Sequence, residues 1–510
     1  MLSERREERY CCNSSPLVLA SLAGDVEGAR RLLLGGADVN HLDNNDVSSL
    51  VCASAVGHVE VTKLLLDYGA NVHRVPEKSG ASALFYASQN GHVDVARLLL
   101  EHGADVNKKD RDGVSPLFAA AENVHVGVVR LLLEEKYGAD VNFSTKHGAT
   151  PLYISCQNGG DLAPAVARLL LERGADVDKA EKHGATPLYI TCQNNFPAVA
   201  QLLLEEYGAD INRSANNGAT PIHIACENGH ISIARLLIER GADLDRGDAL
   251  QSPPLYLASQ NGHAEVVRLL LDHGASVFRV TNFNLSSLFI ASQNGHASVA
   301  RVLIDYGADV YQADFRGASP LFIASHNGHS KVAGLLVVRG GADVHQTDDA
   351  GSTPLFVACQ NGRSTVARLL LKHGADVHQA RNDGTTPLCV ASCNGHLSIV
   401  DLLCSSASGA DVNRANDAGI APLYAASSNG HLALVRYLVA HGADLRRATA
   451  RGDTSRRVAR RRGHLDVVAA LSLLEIIGAS GGSDIIVSRQ EPWRTSGLCP
   501  RCCIRRRRRR

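Results

Sequence analysis

The 510-residue chain is poor in the side chains that fill large cores, with one Met, one Trp and 5% aromatic residues. So few rings argue against a few large mixed cores and for many small ones filled by Leu, Val and Ala. Net charge is absent too, with 52 Lys and Arg against 52 Asp and Glu. A protein built to coat nucleic acid or anionic membrane ordinarily carries an overall basic excess. No apolar run approaches the ~20 residues of a membrane span, and the opening MLSERREERYCC has no apolar stretch of a secretory leader. A soluble, cytoplasmic protein is expected.

Catalytic motifs are equally scarce. No phosphate-cradling GxxxxGKS/T, no GxGxxG after a strand and no HExxH occurs. GASGG at 478–482 matches GxSxG around Ser480 only formally, because it follows a helix and enters Gly/Ser-rich sequence. Cys499, Cys502 and Cys503 form one CxxC with no second pair at finger spacing, and Cys389, Cys393 and His396 occupy ordinary repeat positions. The 32 residues after Gly478 are too few to build a core. No catalytic residue, metal or cofactor is therefore expected, and the chain reads as a non-enzyme.

What the chain has is a repeat. Gly-Ala-Asp, or a close variant, recurs with its Gly at 36, 69, 103, 138, 174, 208, 241, 274, 307, 341, 374, 409 and 442. About 13 residues later comes a second string, such as TPLYIS at 150 or TPLFVA at 353, and then a third, such as QNGH at 89 and 260. Each unit has a mechanical reading. Thr150 or Thr186 caps a helix and Pro151 or Pro187 takes its first position. The helix runs for about seven residues, Gly91 or Gly262 closes it left-handed, and a second helix carries VARLLL at apolar spacings of three and four. A β-turn finger leads to the next pair. Cys156, Cys192, Cys226 and Cys359 fall at one place in the period and read as packing residues, so the thirteen cysteines point to a reducing compartment and not to a disulfide framework.

This pattern resembles the ankyrin repeat from about Ser15 to Leu474, with fourteen readable units. The resemblance implies an all-α solenoid of stacked helix–turn–helix units with β-turn fingers along one edge. The expected organisation is a polar arm over 1–14, the solenoid over 15–477 and a disordered Arg-rich tail over 478–510. The family's TPLH histidine occurs once, at His223. In most other units that place holds a ring, as at Phe85, Phe118, Tyr153 and Phe289, so the Thr–His hydrogen bonding expected between units mostly gives way to ring packing. In the last unit Arg456 replaces the usual Leu, and Arg460, Arg461 and Arg462 follow, which reads as a polar cap. Residues 446–510 hold 17 Arg and five acids, leaving the rest of the chain acidic.

Candidate contact residues come from the periodic pattern and from its breaks. Gln89, Gln157, Gln193, Gln260, Gln293 and Gln360 end the first helices, which the resemblance places on the concave face. The position that is mostly Asn, Asp or His becomes Phe278 and then Tyr311 on adjacent fingers, which add Phe283 and Phe315, and Asn284 replaces the usual turn Gly. An aromatic cluster on solvent-facing tips reads as a binding hot spot. The resemblance also marks Asn40, Asn107, Asn142, Asn212 and Asn413 as candidates for an asparaginyl hydroxylase. Arg97, Arg130, Arg168, Arg235, Arg268 and Arg301 each have an acid four residues on, so self-neutralising pairs are expected within the helices and no nucleic acid track on the solenoid. An insertion, NGGDLAPAVA, with Pro164 inside its turn, is expected to weaken one junction.

The expected function is protein–protein recognition by a monomeric scaffold or adaptor that holds a protein partner on the concave face and fingers. The alternative is a substrate-recruiting subunit of a cullin-type ubiquitin ligase, from a loose likeness of Leu498, Cys499, Arg501, Ile504 and Arg505 to a cullin-recruiting box. Arg505–Arg510 reads as a nuclear-import run that would take part of the protein to the nucleus.

Overall fold

The computed structural model describes residues 15–43, 46–405 and 409–479. The arm over 1–14, Ser480, the cysteines at 499, 502 and 503, the ligase-like residues from Leu498 and the Arg run at 505–510 lie outside the described residues. Among the described residues 28 helices form fourteen pairs and there is no strand. Isolated bridges join Leu42 to Ser48, Val280 to Ser286 and Ala448 to Thr454, each at the base of a finger. Unit one pairs Pro16–Ala23 with Val26–Leu34, and unit fourteen pairs Ser455–Arg462 with Leu465–Ala479. The chain divides into two compact parts within unit ten: the chain up to Ala324 with Lys331–Asp343, and Ser325–Ser330 with the chain from Val344.

In the first part the expected mechanics hold. Thr150 Oγ1 accepts from Tyr153 N–H at 3.1 Å and Thr186 Oγ1 from Tyr189 N–H at 3.1 Å, each with Pro at the first helical position. First helices of seven or eight residues are too short to persist alone, so packing must hold them. Leu117, Leu152, Leu188 and Ile222 are buried at one equivalent place between neighbouring first helices. Each such side chain contributes about 2 kcal/mol by leaving water. Gly262, which closes the first helix of unit eight, has φ +83 and the ring of His296 2.7 Å from where a Cβ would stand. The turn demands a left-handed residue and the next unit leaves it no side-chain room. That histidine has its own task. His296 Nε2 donates to Gln260 O at 2.9 Å, as His125 does to Gln89 O at 3.0 Å and His263 to Glu227 O at 3.0 Å. A carbonyl only accepts, so Nε2 carries the proton and the recurring His stitches each turn to the preceding unit.

The second part repeats this chemistry. Thr353 and Thr386 cap their helices, accepting at 3.1 Å each, and Leu355 and Leu388 are buried. Cys389 is buried, and His396 Nε2 donates to Gln360 O at 3.1 Å, so these residues serve the repeat. In unit fourteen Arg456, Arg460, Arg461 and Arg462 are exposed, as a terminal unit requires.

Cys156, Cys192, Cys226 and Cys359 are wholly buried. Burial pushes all four thiols up, Cys156 to about 12, which keeps them protonated packing groups. The rings at Phe85, Phe118, Tyr153 and Phe289 are buried, and Phe85 packs on Ala119 of the next unit.

Three expectations need correction. The Thr–His bond is local: His223 Nδ1 accepts from Thr220 N–H at 3.1 Å and lies 2.7 Å from Thr220 Oγ1 within one unit. The pair closes the start of one helix rather than joining two units. Of the six arginines expected to pair along their helices, Arg97 meets Glu134 at 3.7 Å and Arg168 pairs with Glu206, each in the next unit, and among the described residues the other four make no ion pair; Arg339 likewise pairs across units with Asp305. For Arg97 and Arg168 an acid at the end of the neighbouring second helix takes the guanidinium in place of the one a turn on, and being exposed these pairs add only ~0.2–1 kcal/mol each. Pro164 is not inside the inserted turn: the second helix of unit five starts at Ala163 and takes Pro164 into its first turn. The turn before it is closed instead by Gly159, over which the ring of Phe196 packs.

Candidate partner interface

The fingers are built on two hydrogen-bond ladders. The first is closed within each finger. Asp110 Oδ1 accepts from Asp112 N–H at 2.9 Å and from Val114 N–H at 2.8 Å, and a main-chain bond then links tip to tip, as Lys146 N–H to Asp112 O at 3.2 Å and Lys182 N–H to His147 O at 2.9 Å.

The second ladder joins consecutive units through the Asn of GADVN. Asn107 Nδ2 donates to Gly138 O at 3.1 Å while its Oδ1 accepts from Asp140 N–H at 2.8 Å. Asn142 repeats this with Gly174 O at 3.0 Å and Asp176 N–H at 2.8 Å, and Asn413 with Gly442 O at 2.9 Å and Asp444 N–H at 2.7 Å. Asn40 donates to Gly69 O and accepts from Asn71 N–H, and Asn212 accepts from Asp243 N–H. Asn40, Asn107, Asn142 and Asn413 are thus two-ended clamps, and Asn212 makes the bond at its Oδ1 end. The sequence shows only a turn residue there, because the partners lie some thirty positions on.

Phe278 stands at a clamp position with no polar side-chain atom, and is 69% exposed. At the next such position Tyr311 is 50% exposed, and its hydroxyl donates to Gly341 O at 2.8 Å, the carbonyl that an Asn amide would reach. Phe283 and Phe315 are also exposed. The four aromatic residues named from the sequence therefore lie on the surface, in the first part of the chain. Leu285 is only partly exposed at the base of the same finger. Arg316 lies over the Phe315 ring at 5.0 Å, and Arg279 Nη2 donates to Asp245 O at 2.9 Å.

Leu250 is a further exposed apolar residue of these fingers, one that the sequence reading does not single out. It is exposed on the preceding finger, and its carbonyl accepts from Asn282 N–H at 3.0 Å. The signal was available: Leu250 and Phe283 occupy the tip position held elsewhere by Asp112, His147, His183 and Asn217. The backbone is unusual here as well. Gln251 and Asn284 both adopt φ 59 at the turn position where other fingers use Gly. A side chain in that conformation costs about 1 kcal/mol, less for Asn. The link to the next finger is made by the Asn284 side chain, whose Nδ2 donates to Ala313 O at 2.8 Å.

The glutamines that end the first helices fall in both parts, Gln89, Gln157, Gln193, Gln260 and Gln293 in the first and Gln360 in the second. Gln157, Gln193, Gln260 and Gln360 are exposed, and Gln89 and Gln293 partly so. Their carbonyls serve the stack, as Gln157 O does in accepting from Asn194 Nδ2 at 2.8 Å. Gln157 also lines an open cleft of about 350 Å³ with Tyr153, His147 and Lys182.

Among the described residues no group of three or more His, Cys, Asp or Glu is placed to hold a metal ion, and no helix is long and apolar enough to cross a membrane. A family model described as ankyrin repeats in three copies matches residues 17–110, 107–181, 163–248, 247–314, 321–416 and 408–479. No curated protein matches the chain. Repeats of this kind generally mediate protein–protein interaction and are typically not enzymes. With its paired helices, capped turns and linked fingers under that match, the chain belongs to the ankyrin repeat family.

Proposed function

We propose that the chain is a scaffold or adaptor whose principal contact surface is the finger edge formed by Leu250, Phe278, Phe283, Tyr311 and Phe315. The carrying observation is the exposed Phe278 at a position where other units place a clamping Asn. An apolar ring there leaves water-exposed surface and forgoes two hydrogen bonds, a local loss that a partner's burial of the ring would offset. Two neighbouring left-handed non-glycine turns support the same reading, since backbone strain collects at binding sites. The glutamines of the first part, from Gln89 to Gln293, would serve as a secondary polar contact for an extended segment. The test is affinity purification with the intact chain and with a Phe283→Ala/Phe315→Ala double variant. The partner should be recovered by the parent and lost by the variant, with the thermal melt unmoved. Retained binding together with a lowered melt would mean that these rings hold the finger, and the contact would move to those glutamines.

A further inference from the structure

The end of the second part combines two features that no other unit shares. Residues 446–462 hold eight arginines and a single acid, Asp453, and all eight arginines are exposed. Arg456, Arg457 and Arg460 stand where the other units bury a Leu, a ring and a small residue such as Cys156, so they occupy a face that elsewhere meets a following unit. Arg456 pairs with Glu475 at 2.9 Å, and Asp453 takes Arg457 at 3.5 Å and Arg461 at 2.6 Å. Among the described residues Arg446, Arg447, Arg451, Arg460 and Arg462 make no ion pair.

The second feature is the last helix, Leu465–Ala479. It has 15 residues where the other second helices have seven to ten. Glu475 falls where Gly103 ends the helix of unit three, so the chain continues helically past the usual stop. The continuation is apolar: Leu473 is 59% exposed, at the place of Glu101 and Glu172, and Ile476 is 66% exposed. The Arg456–Glu475 bond ties this extension to the arginine-bearing helix, so guanidinium groups and the exposed Leu473 and Ile476 share one end of the described repeats.

We propose that this end docks on an anionic phospholipid membrane, with the arginines on headgroup phosphates and Leu473 and Ile476 entering the acyl boundary. Arginine stems lie along apolar material while their heads stay at the phosphate level, and an anionic leaflet supplies charge and apolar depth together. An acidic polypeptide would satisfy the arginines but leave Leu473 and Ile476 in water. The surface is distinct from the finger patch, and its test is independent of that reading.

The experiment is vesicle flotation of the full chain. Binding should appear with phosphatidylcholine–phosphatidylserine vesicles, be absent with phosphatidylcholine alone, and weaken with salt. Arg460→Glu with Arg462→Glu should lower the partition coefficient at least about tenfold. Leu473→Glu with Ile476→Glu should abolish flotation while leaving capture on immobilised polyglutamate unchanged. Melting curves accompany each variant, and Arg460→Gln with Arg462→Gln replaces the reversal if that lowers the melt. Flotation unchanged by the arginine substitutions would assign it to the Arg505–Arg510 run and overturn the proposal. Arginine-dependent capture on polyglutamate without flotation would overturn it in favour of an acidic protein.

Discussion

Asn107 and Asp140 sit on consecutive fingers, and the Asp140 N–H donates to Asn107 Oδ1 at 2.8 Å while the other end of the same amide reaches Gly138 O. One side chain thus satisfies an N–H and a C=O of the neighbouring unit, two groups that would otherwise rely on water. In a stack where each unit touches only its neighbours, such a clamp acts on one junction alone. Asn107→Ala should lower stability by about 1 kcal/mol, the net worth of partly exposed hydrogen bonds. Asn107→Asp should lose less, because Asp178 accepts from Asp210 N–H in the same role at 3.1 Å. Denaturant unfolding of both variants checks the order, and an alanine variant as stable as the parent would remove the clamp from the account.

The reverse substitution tests what Phe278 is for. Phe278→Asn places an amide opposite Gly307 O and Asp309 N–H, the counterparts of Gly138 and Asp140. The melt should rise, by about 1 kcal/mol in stability, while affinity for the finger-bound partner falls. A rise in stability with affinity unchanged would show that the ring is dispensable for binding. An unchanged melt would mean that this finger cannot adopt the clamped geometry.

Val124 holds φ 57 at the turn after the first helix of unit four, where most units have Gly. A β-branched residue is poorly suited to the left-handed region, at a cost of about 1–2 kcal/mol. Glycine gives back about 0.5–1 kcal/mol through the entropy of the unfolded chain. The first effect is larger, so Val124→Gly should stabilise by a few tenths to 1 kcal/mol, read as a shift of the urea midpoint at constant slope. Destabilisation would mean that the Val124 side chain contributes packing that outweighs its strain.

How legible all this is in the sequence depends on the span of each interaction. Thr150, Pro151 and Gly262 act within three or four positions, and their repetition made the fold plain. Cys156 and its equivalents were readable as packing groups because one period puts them at one place. The asparagine clamps and histidine stitches were visible as recurring letters but not as bonds, since His125 finds Gln89 across a gap of 36 residues. The four-residue spacing points Arg168 at Glu172 one turn on, whereas its guanidinium pairs with Glu206 in the next unit. The aromatic finger residues were found as breaks in the pattern. Leu250 escaped because an aliphatic residue in a varied loop attracts less notice than a ring.

The single His223 provides a pH test with a defined sign. Its ring is buried, and burial pushes its pKa below the ordinary 6.5, against smaller upward pulls from the Asp248 charge and from the backbone of Ser252 and Arg246, while the Arg246 charge adds to the lowering. Nδ1 accepts from Thr220 N–H, so the neutral ring protonated at Nε2 fits the helix start, and a proton added at Nδ1 would displace that bond. His92 is shifted the same way, by burial first and by His125 and His58. For a histidine with a lowered folded-state pKa, the unfolded chain takes up the proton first as pH falls. Stability is then intact above about 7 and declines as pH drops below 6.5, with a slope of at most about 1.4 kcal/mol per pH unit for each extra proton bound by the unfolded chain. His223→Tyr, which copies Tyr153 and Tyr189 at the same position, should flatten the decline between pH 7 and 5.5 relative to the parent. Melting curves across that window decide it: identical slopes in the two proteins would show that His223 is not a source of the acid sensitivity.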